Sequence, residues 1–118
     1  MELTYADLEN GVRKIDLKGR LDIEGATAID LKFTSLAATQ RAFLVIDMTL
    51  VDFIASLGVA TLVRSAKAAK LRKGKLVLLN PQPNVAKVLA ATRVDQVLPV
   101  CANLDEAFAS VLADAPVN

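Results

Sequence analysis

Ser56 stands in the stretch Val51-Asp52-Phe53-Ile54-Ala55-Ser56-Leu57-Gly58-Val59, just ahead of apolar residues at helical spacing. A hydroxyl in that position fits two roles. As a helix cap it satisfies one of the orphan N–H groups that open every helix. As a phosphoacceptor it sits where a phosphate meets the positive end of the helix dipole and free N–H groups. A phosphate there adds about −1.5 to −2 charges at pH 7 to whatever surface it joins. Gly58, two residues on, costs roughly 1 kcal/mol relative to alanine inside a helix. It implies either close packing of that helix on a strand or close approach of a partner's backbone to Ser56.

Asp22 and Asp47 each follow a strand-like run, and the chain order predicts that both strand ends reach one edge of the sheet. As a carboxylate pair they would suit acid–base work or magnesium binding. As loop residues they would bond exposed backbone N–H groups. The sequence favours the second role, because it has no histidine and no glycine-rich phosphate loop. Thr49 is a further hydroxyl between Asp47 and Ser56, of a type that commonly stabilises turns.

Composition narrows the classes further. The 118 residues include no histidine and one cysteine, Cys101, which excludes His-dependent triads, His metal sites and an internal disulfide. Lys+Arg and Asp+Glu nearly balance at 14 and 13, a net charge of +1, without the basic excess of an electrostatically driven nucleic-acid binder. The hydrophobic fraction of 53% supplies a core, yet charges interrupt every apolar stretch, so no membrane span is expected. The polar start MELTYADLENG lacks the features of a signal peptide. A cytoplasmic protein is expected.

The elements that would position these residues follow from periodicity. Glu2 to Glu9 and Val12 to Leu17 are strand-like around Asn10-Gly11, a hairpin-forming pair. Glu24 to about Ala38 suggests a helix, with Ala28, Ile29, Leu31, Phe33 and Leu36 as its apolar residues. Ala42 to Ile46 is a buried-type strand, and Asp47 to Ala55 a connector. The second helix starts near Ser56, with Val59, Leu62, Val63 and Ala66 at i, i+3, i+4 and i+7, and stops at Gly74. Leu76 to Leu79 is a strand, and Asn84 caps a short helix to about Thr92. Val97 to Val100 is a last strand and Leu104 to Leu112 a last helix, with Ala107, Phe108, Val111 and Leu112 on one face. The order β-β-α-β-α-β-α-β-α implies a single α/β domain over 1–112, with a mixed, mainly parallel sheet and a short tail at 113–118.

This order and three motifs resemble the STAS domain family (sulphate transporter and anti-sigma factor antagonist). Leu17-Lys18-Gly19-Arg20-Leu21-Asp22 is similar to its L-x-G-x-L-D signature, and Leu44-Val45-Ile46-Asp47-Met48-Thr49 to its central strand. Val51 to Val59 is close to its V-x-F-[IM]-[DS]-S-x-G-[LV] segment, with Ser56 at the phosphoacceptor position. Where many members have Asp-Ser-Ser-Gly, this chain has Ala55-Ser56-Leu57-Gly58.

The resemblance implies a non-enzymatic anti-sigma factor antagonist. It would bind an anti-sigma factor that is also a serine kinase, free the sigma factor, and be switched off by phosphorylation of Ser56. A PP2C-type phosphatase would restore it, and ATP would belong to the kinase, so no cofactor is implied. Partner contact would fall on Asp22, Asp47, Thr49, Ala55, Ser56, Leu57 and Gly58, with Thr49 a second phosphoacceptor in the related stressosome scaffolds. The alternatives are a STAS accessory subunit of a membrane-lipid transporter ATPase and a stressosome-type scaffold. Arg64, Lys67, Lys70, Arg72, Lys73 and Lys75 form an acid-free run, which suits a solvated helix end or a positive rim toward an acidic partner. Cys101 suits a small core hydrophobe, and Tyr5 has no partner for nucleophilic chemistry.

Overall fold

In the computed structural model, which describes residues 1–39 and 42–113, the Asn10-Gly11 turn closes a hairpin. Asn10 Oδ1 accepts the Val12 N–H at 3.1 Å, and the Leu8 N–H reaches the Val12 carbonyl at 2.8 Å. The hairpin joins β1 (Glu2–Asp7) to β2 (Arg13–Leu21) in antiparallel register, with Tyr5 opposite Ile15. β3 (Phe43–Ile54), β4 (Lys75–Leu79) and β5 (Val100–Cys101) then add in parallel, so the spatial order β1-β2-β3-β4-β5 follows the chain. The mixed, mainly parallel α/β sheet expected from the sequence is the one observed.

Strands added successively in one direction, each by a right-handed crossover, put their helices on one face. Residues of α1 (Ile23–Ala37), α2 (Ser56–Leu71) and α3 (Pro83–Ala91) accordingly share one core with the sheet. α4 (Leu104–Leu112) covers the other face, and its Ala107 and Val111 pack with Val45, Val77, Leu79 and Cys101. The central strands alternate between these layers. Leu44, Ile46, Leu76 and Leu78 face the three-helix side, and Val45, Val77 and Leu79 face α4. Burial on both faces explains the unbroken apolar runs of these strands.

Several local expectations are corrected. The connector expected over 47–55 is strand as far as Ile54, because β2 outlasts β4: Lys18 pairs with Leu50, Gly19 with Val51, Arg20 with Phe53 and Leu21 with Ile54. Beyond β4 the open side of β3 is satisfied by side chains, Gln82 Nε2 donating to the Thr49 carbonyl at 3.0 Å and Asn84 Nδ2 to the Asp52 carbonyl at 2.7 Å. Asn84 is therefore engaged with β3 rather than capping α3, whose cap position is Gln82 with Pro83 as first helical residue. On α1 the buried stripe runs through Gly25, Ala26, Ile29, Phe33 and Ala37, which leaves Ala28 and Leu31 outside.

α2 ends in a Schellman motif: the Gly74 N–H donates to the Ala69 carbonyl at 2.8 Å and the Lys73 N–H to the Lys70 carbonyl at 3.0 Å. The left-handed residue is Lys73 (φ 63°), not the expected Gly74. Gly74 is needed for contact, since a Cβ there would lie 2.2 Å from the Ala42 carbonyl oxygen. The last strand is only Val100–Cys101, preceded by a short 3-10 turn over Val94–Gln96, because Pro99 has no N–H to offer the ladder. The tail expected at 113–118 falls, past Ala113, outside the described residues.

Candidate functional site

β2 and β3 end side by side, and each feeds a helix. The Ala55 N–H donates to the Leu21 carbonyl at 2.9 Å, tying the chain before α2 to the chain before α1. Asp22 and Ala55 are the two cap residues, so the N-termini of α1 and α2 open next to each other beyond the carboxyl ends of the strands. That end of a parallel sheet is where α/β folds gather ligands and contacts.

Asp22 caps α1, its Oδ1 accepting the Gly25 N–H at 2.8 Å, while Oδ2 lies 3.4 Å from Arg20 Nε. The Gly25 N–H first, and Arg20 with it, hold the Asp22 carboxyl below its ordinary pKa, so it is a carboxylate at neutral pH. The structural role weighed for Asp22 is thus the observed one. Ser56 is not the cap that the sequence suggested as one alternative. The extended residue before α2 is Ala55, which has no cap side chain, and Ser56 is the exposed first residue of the helix. The first intrahelical bond runs from the Val59 N–H to the Ala55 carbonyl at 3.1 Å, so the N–H groups of Ser56, Leu57 and Gly58 lead the helix. No acidic residue lies in this first turn. A Cβ on Gly58 would lie 2.7 Å from the Leu21 carbonyl oxygen, which assigns this glycine to close packing of α2 on β2.

Three apolar side chains at the end of β3 and the starts of α1 and α2 are exposed. Ile23 is 67% exposed, Leu57 40% and Phe53 37%. The Arg20 guanidinium covers the Phe53 ring at 4.4 Å from its centroid. Between the two helices runs a groove of about 290 Å³, lined by Ala26, Thr27, Asp30, Leu31, Leu57, Thr61 and Arg64. Arg64 Nη2 bonds Asp30 Oδ1 across it at 2.9 Å. Sequence reasoning missed Ile23, Arg20 and Phe53. The available signal was that Ile23 lies off the buried stripe of α1, where an apolar residue has no core to face.

Asp47 and Thr49 belong elsewhere. Asp47 pairs with Asp16 in register and Ile54 with Leu21, so Asp47 and Asp22 are not brought to one edge. Seven residues of strand separate Asp47 from Ile54, roughly 23 Å at the usual rise. Burial alone would raise the Asp47 pKa, but the Thr49 hydroxyl and N–H, with Lys14, lower it overall. Thr49 Oγ1 donates to Asp47 Oδ1 at 2.6 Å and accepts from Asn80 Nδ2 at 3.3 Å, so its hydroxyl serves the turn. Lys14 Nζ bridges Asp16 at 2.6 Å and Asp47 at 3.2 Å. Cys101 is buried, and burial raises its thiol pKa, as expected of a packing residue. Tyr5 is exposed, 5.0 Å from ring centroid to the Arg13 guanidinium carbon. Among the described residues no group of three or more Cys, Asp or Glu is placed to hold a metal, and no helix is long and apolar enough to cross a membrane.

Fold and site together define an α/β domain that presents an exposed serine at a helix start. The family model of the STAS domain matches residues 6–107, and the chain belongs to that family. Among solved structures it is similar to an anti-sigma factor antagonist from Mycobacterium paratuberculosis, at 23% identity and TM-score 0.83 over 93% of this chain and 92% of that one. It is likewise similar to an anti-sigma factor antagonist (STAS) domain protein from Planctomyces limnophilus, at 25% identity and TM-score 0.78 over 96% and 97%. A third neighbour is the Bacillus cell fate determinant SpoIIAA in its phosphorylated form, at 21% identity and TM-score 0.69 over 93% and 99%. No curated protein matches the sequence.

Proposed function

We propose that this chain is a non-enzymatic anti-sigma factor antagonist that binds an anti-sigma factor/serine kinase, frees the sigma factor and is switched off by phosphorylation of Ser56. The observation that carries this reading is the exposed Ser56 at the start of α2, tied beside the capped start of α1, with exposed Ile23, Phe53 and Leu57 on the same element ends. Apolar side chains left in water at one spot mark a contact surface. A phosphate on Ser56 would be accepted by the leading N–H groups of α2 without refolding. It would also place charge and bound water in the middle of that surface, close to the Asp22 carboxylate, which opposes docking. Release of the partner then comes from repulsion and desolvation. Support also comes from SpoIIAA, a protein of this fold that exists in a phosphorylated form.

On this reading Asp22, Ala55, Ser56 and Leu57 belong to the docking surface, joined by Arg20, Ile23 and Phe53, while the buried Gly58 sets the helix start against Leu21. A PP2C-type phosphatase would reverse the switch. The test is incubation with the cognate anti-sigma factor, ATP and magnesium, followed by mass mapping. One phosphate on Ser56, absent from Ser56→Ala, is expected. Undiminished labelling of Ser56→Ala, or capture of a transporter ATPase in place of an anti-sigma factor, would overturn it.

A further inference from the structure

The basic run of α2 is carried away from Ser56 rather than beside it. α2 is 16 residues long, about 24 Å, and its lysines lie toward the far end. There, between α2, β3, β4, α4 and the segment before β5, lies a cavity of about 440 Å³. Its apolar lining is Phe43, Ala66, Leu76, Val97, Pro99 and Val111, and Lys67, Lys70, Lys73 and Lys75 edge it. Among the described residues no carboxylate lines it. Among the described residues no ion pair engages any of these lysines, although Lys75 Nζ donates to the Ser110 carbonyl at 2.9 Å. A second hollow shares Lys67 and Lys70 and exposes Leu71, so apolar surface continues past the cations.

We propose that this cavity binds an amphipathic anion, an alkyl or acyl chain ending in a phosphate or carboxylate. Its size falls in the range of about 300–1,000 Å³ typical of small-molecule sites. Cations at a helix C-terminus are favourable in themselves. That accounts for Lys70, in the last turn of α2, and for Lys75, whose Nζ meets the Ser110 carbonyl in the last turn of α4, but not for the apolar lining that these cations edge. A free inorganic anion would leave that lining wet, and a neutral hydrocarbon would leave the lysines without a counter-charge. A ligand with both parts satisfies both. The site is independent of Ser56 and lies at the opposite end of α2.

The test is an amide NMR titration of the full chain with octyl phosphate, inorganic phosphate and octanol in turn. Saturable shifts at residues 66–76 and 96–98 are expected with octyl phosphate alone. The double variant Lys67→Glu/Lys70→Glu should weaken binding about tenfold or more, the loss of charge-assisted contacts. Val97→Asp, at a half-exposed position, should weaken it independently. Equal shifts with inorganic phosphate, no saturable shift, or parental affinity in both variants would overturn the proposal. Sedimentation with phosphatidylcholine/phosphatidylglycerol vesicles, lost in the double variant, would assign a bilayer lipid as the source. Octyl phosphate binding without sedimentation would assign a free amphiphile.

Discussion

Gly58 lies so close to Leu21 that a Cβ added to it would sit 2.6 Å from Leu21 Cγ and 2.7 Å from the Leu21 carbonyl oxygen. That oxygen already accepts the Ala55 N–H, so it has little room to move. Helix propensity alone favours Gly58→Ala by roughly 1 kcal/mol. Overpacking against fixed backbone costs about 1–3 kcal/mol and should win. Urea unfolding is expected to show Gly58→Ala less stable than the parent. A rise in its midpoint would contradict the packing role. Ala60→Gly, at an exposed position of the same helix, calibrates the propensity effect alone.

Ser56→Asp separates folding from binding. A carboxylate in the first turn meets the positive end of α2, where such charges add about 0.3–1 kcal/mol. The variant should therefore unfold no earlier than the parent. Its affinity for the anti-sigma factor should fall about tenfold or more, since a desolvated unpaired charge in an interface is costly. Calorimetric titration reads the second effect and thermal denaturation the first. A loss of binding accompanied by loss of stability would place the effect in the fold instead.

The exposed apolar residues give a complementary test. Ile23→Asp and Leu57→Asp alter side chains that are 67% and 40% exposed, so their effect on stability should stay within about 0.5 kcal/mol. If these residues are anchors of the contact surface, each should cost about 1 kcal/mol or more of partner affinity. Leu31→Asp, on a side chain 80% exposed at the groove between α1 and α2, maps how far the contact extends along it.

Much of this was legible because one physical signal dominated. The bond from Asp22 to a backbone N–H, the apolar runs of β3 and β4, and the 59/62/66 stripe of α2 each follow from local side-chain chemistry or periodicity, although that Asp22 caps α1 itself was not foreseen. Nor was the extension of β3 to Ile54. Thr49, Leu50, Asp52 and Phe53 are exposed, and their strand conformation depends on pairing with the distant Lys18–Leu21. That pairing also sends Asp47 away from Ser56, which no local pattern reveals. The lysine-edged cavity was equally hidden, since Phe43, Leu76, Val97 and Val111 come from separate parts of the chain.

The pH profile should be flat where most proteins vary. With no histidine, few groups titrate between about pH 5 and 8. Asp22, held down first by the Gly25 N–H, has a lowered pKa. So does Asp47, where the Thr49 and Lys14 contacts outweigh burial. A depressed carboxyl contributes stability that is present above its unfolded value of about 3.9 and lost as pH falls through the lower folded value. Lys14 behaves oppositely: burial lowers its pKa, but Asp16 and Asp47 raise it overall. Its contribution is present below about 10.4 and lost as pH rises through the higher folded value. Unfolding midpoints should therefore hold from about pH 5 to 8 and drop on the acid side, with a shallower acid slope in Asp22→Ala. A marked slope near neutrality would refute this assignment.

Ala55 offers the most direct gain. It occupies the cap position of α2 in extended geometry, φ −111° and ψ 171°, yet brings no side-chain acceptor. The leading N–H groups of α2 consequently lack the partner that Asp22 gives α1 and Asn103 gives α4, each through one bond at 2.8 and 2.9 Å. The backbone is already suited to a capping serine or aspartate, so Ala55→Ser and Ala55→Asp should each stabilise the fold by about 0.5–2 kcal/mol. Function should respond differently to the two. Aspartate places a second carboxylate beside Asp22 and competes with a Ser56 phosphate for the same N–H groups, so phosphorylated Ala55→Asp should gain less stability from its phosphate than the phosphorylated parent. Thermal denaturation of both proteins, before and after kinase treatment, measures that difference. Equal gains would mean that the phosphate does not use the helix start.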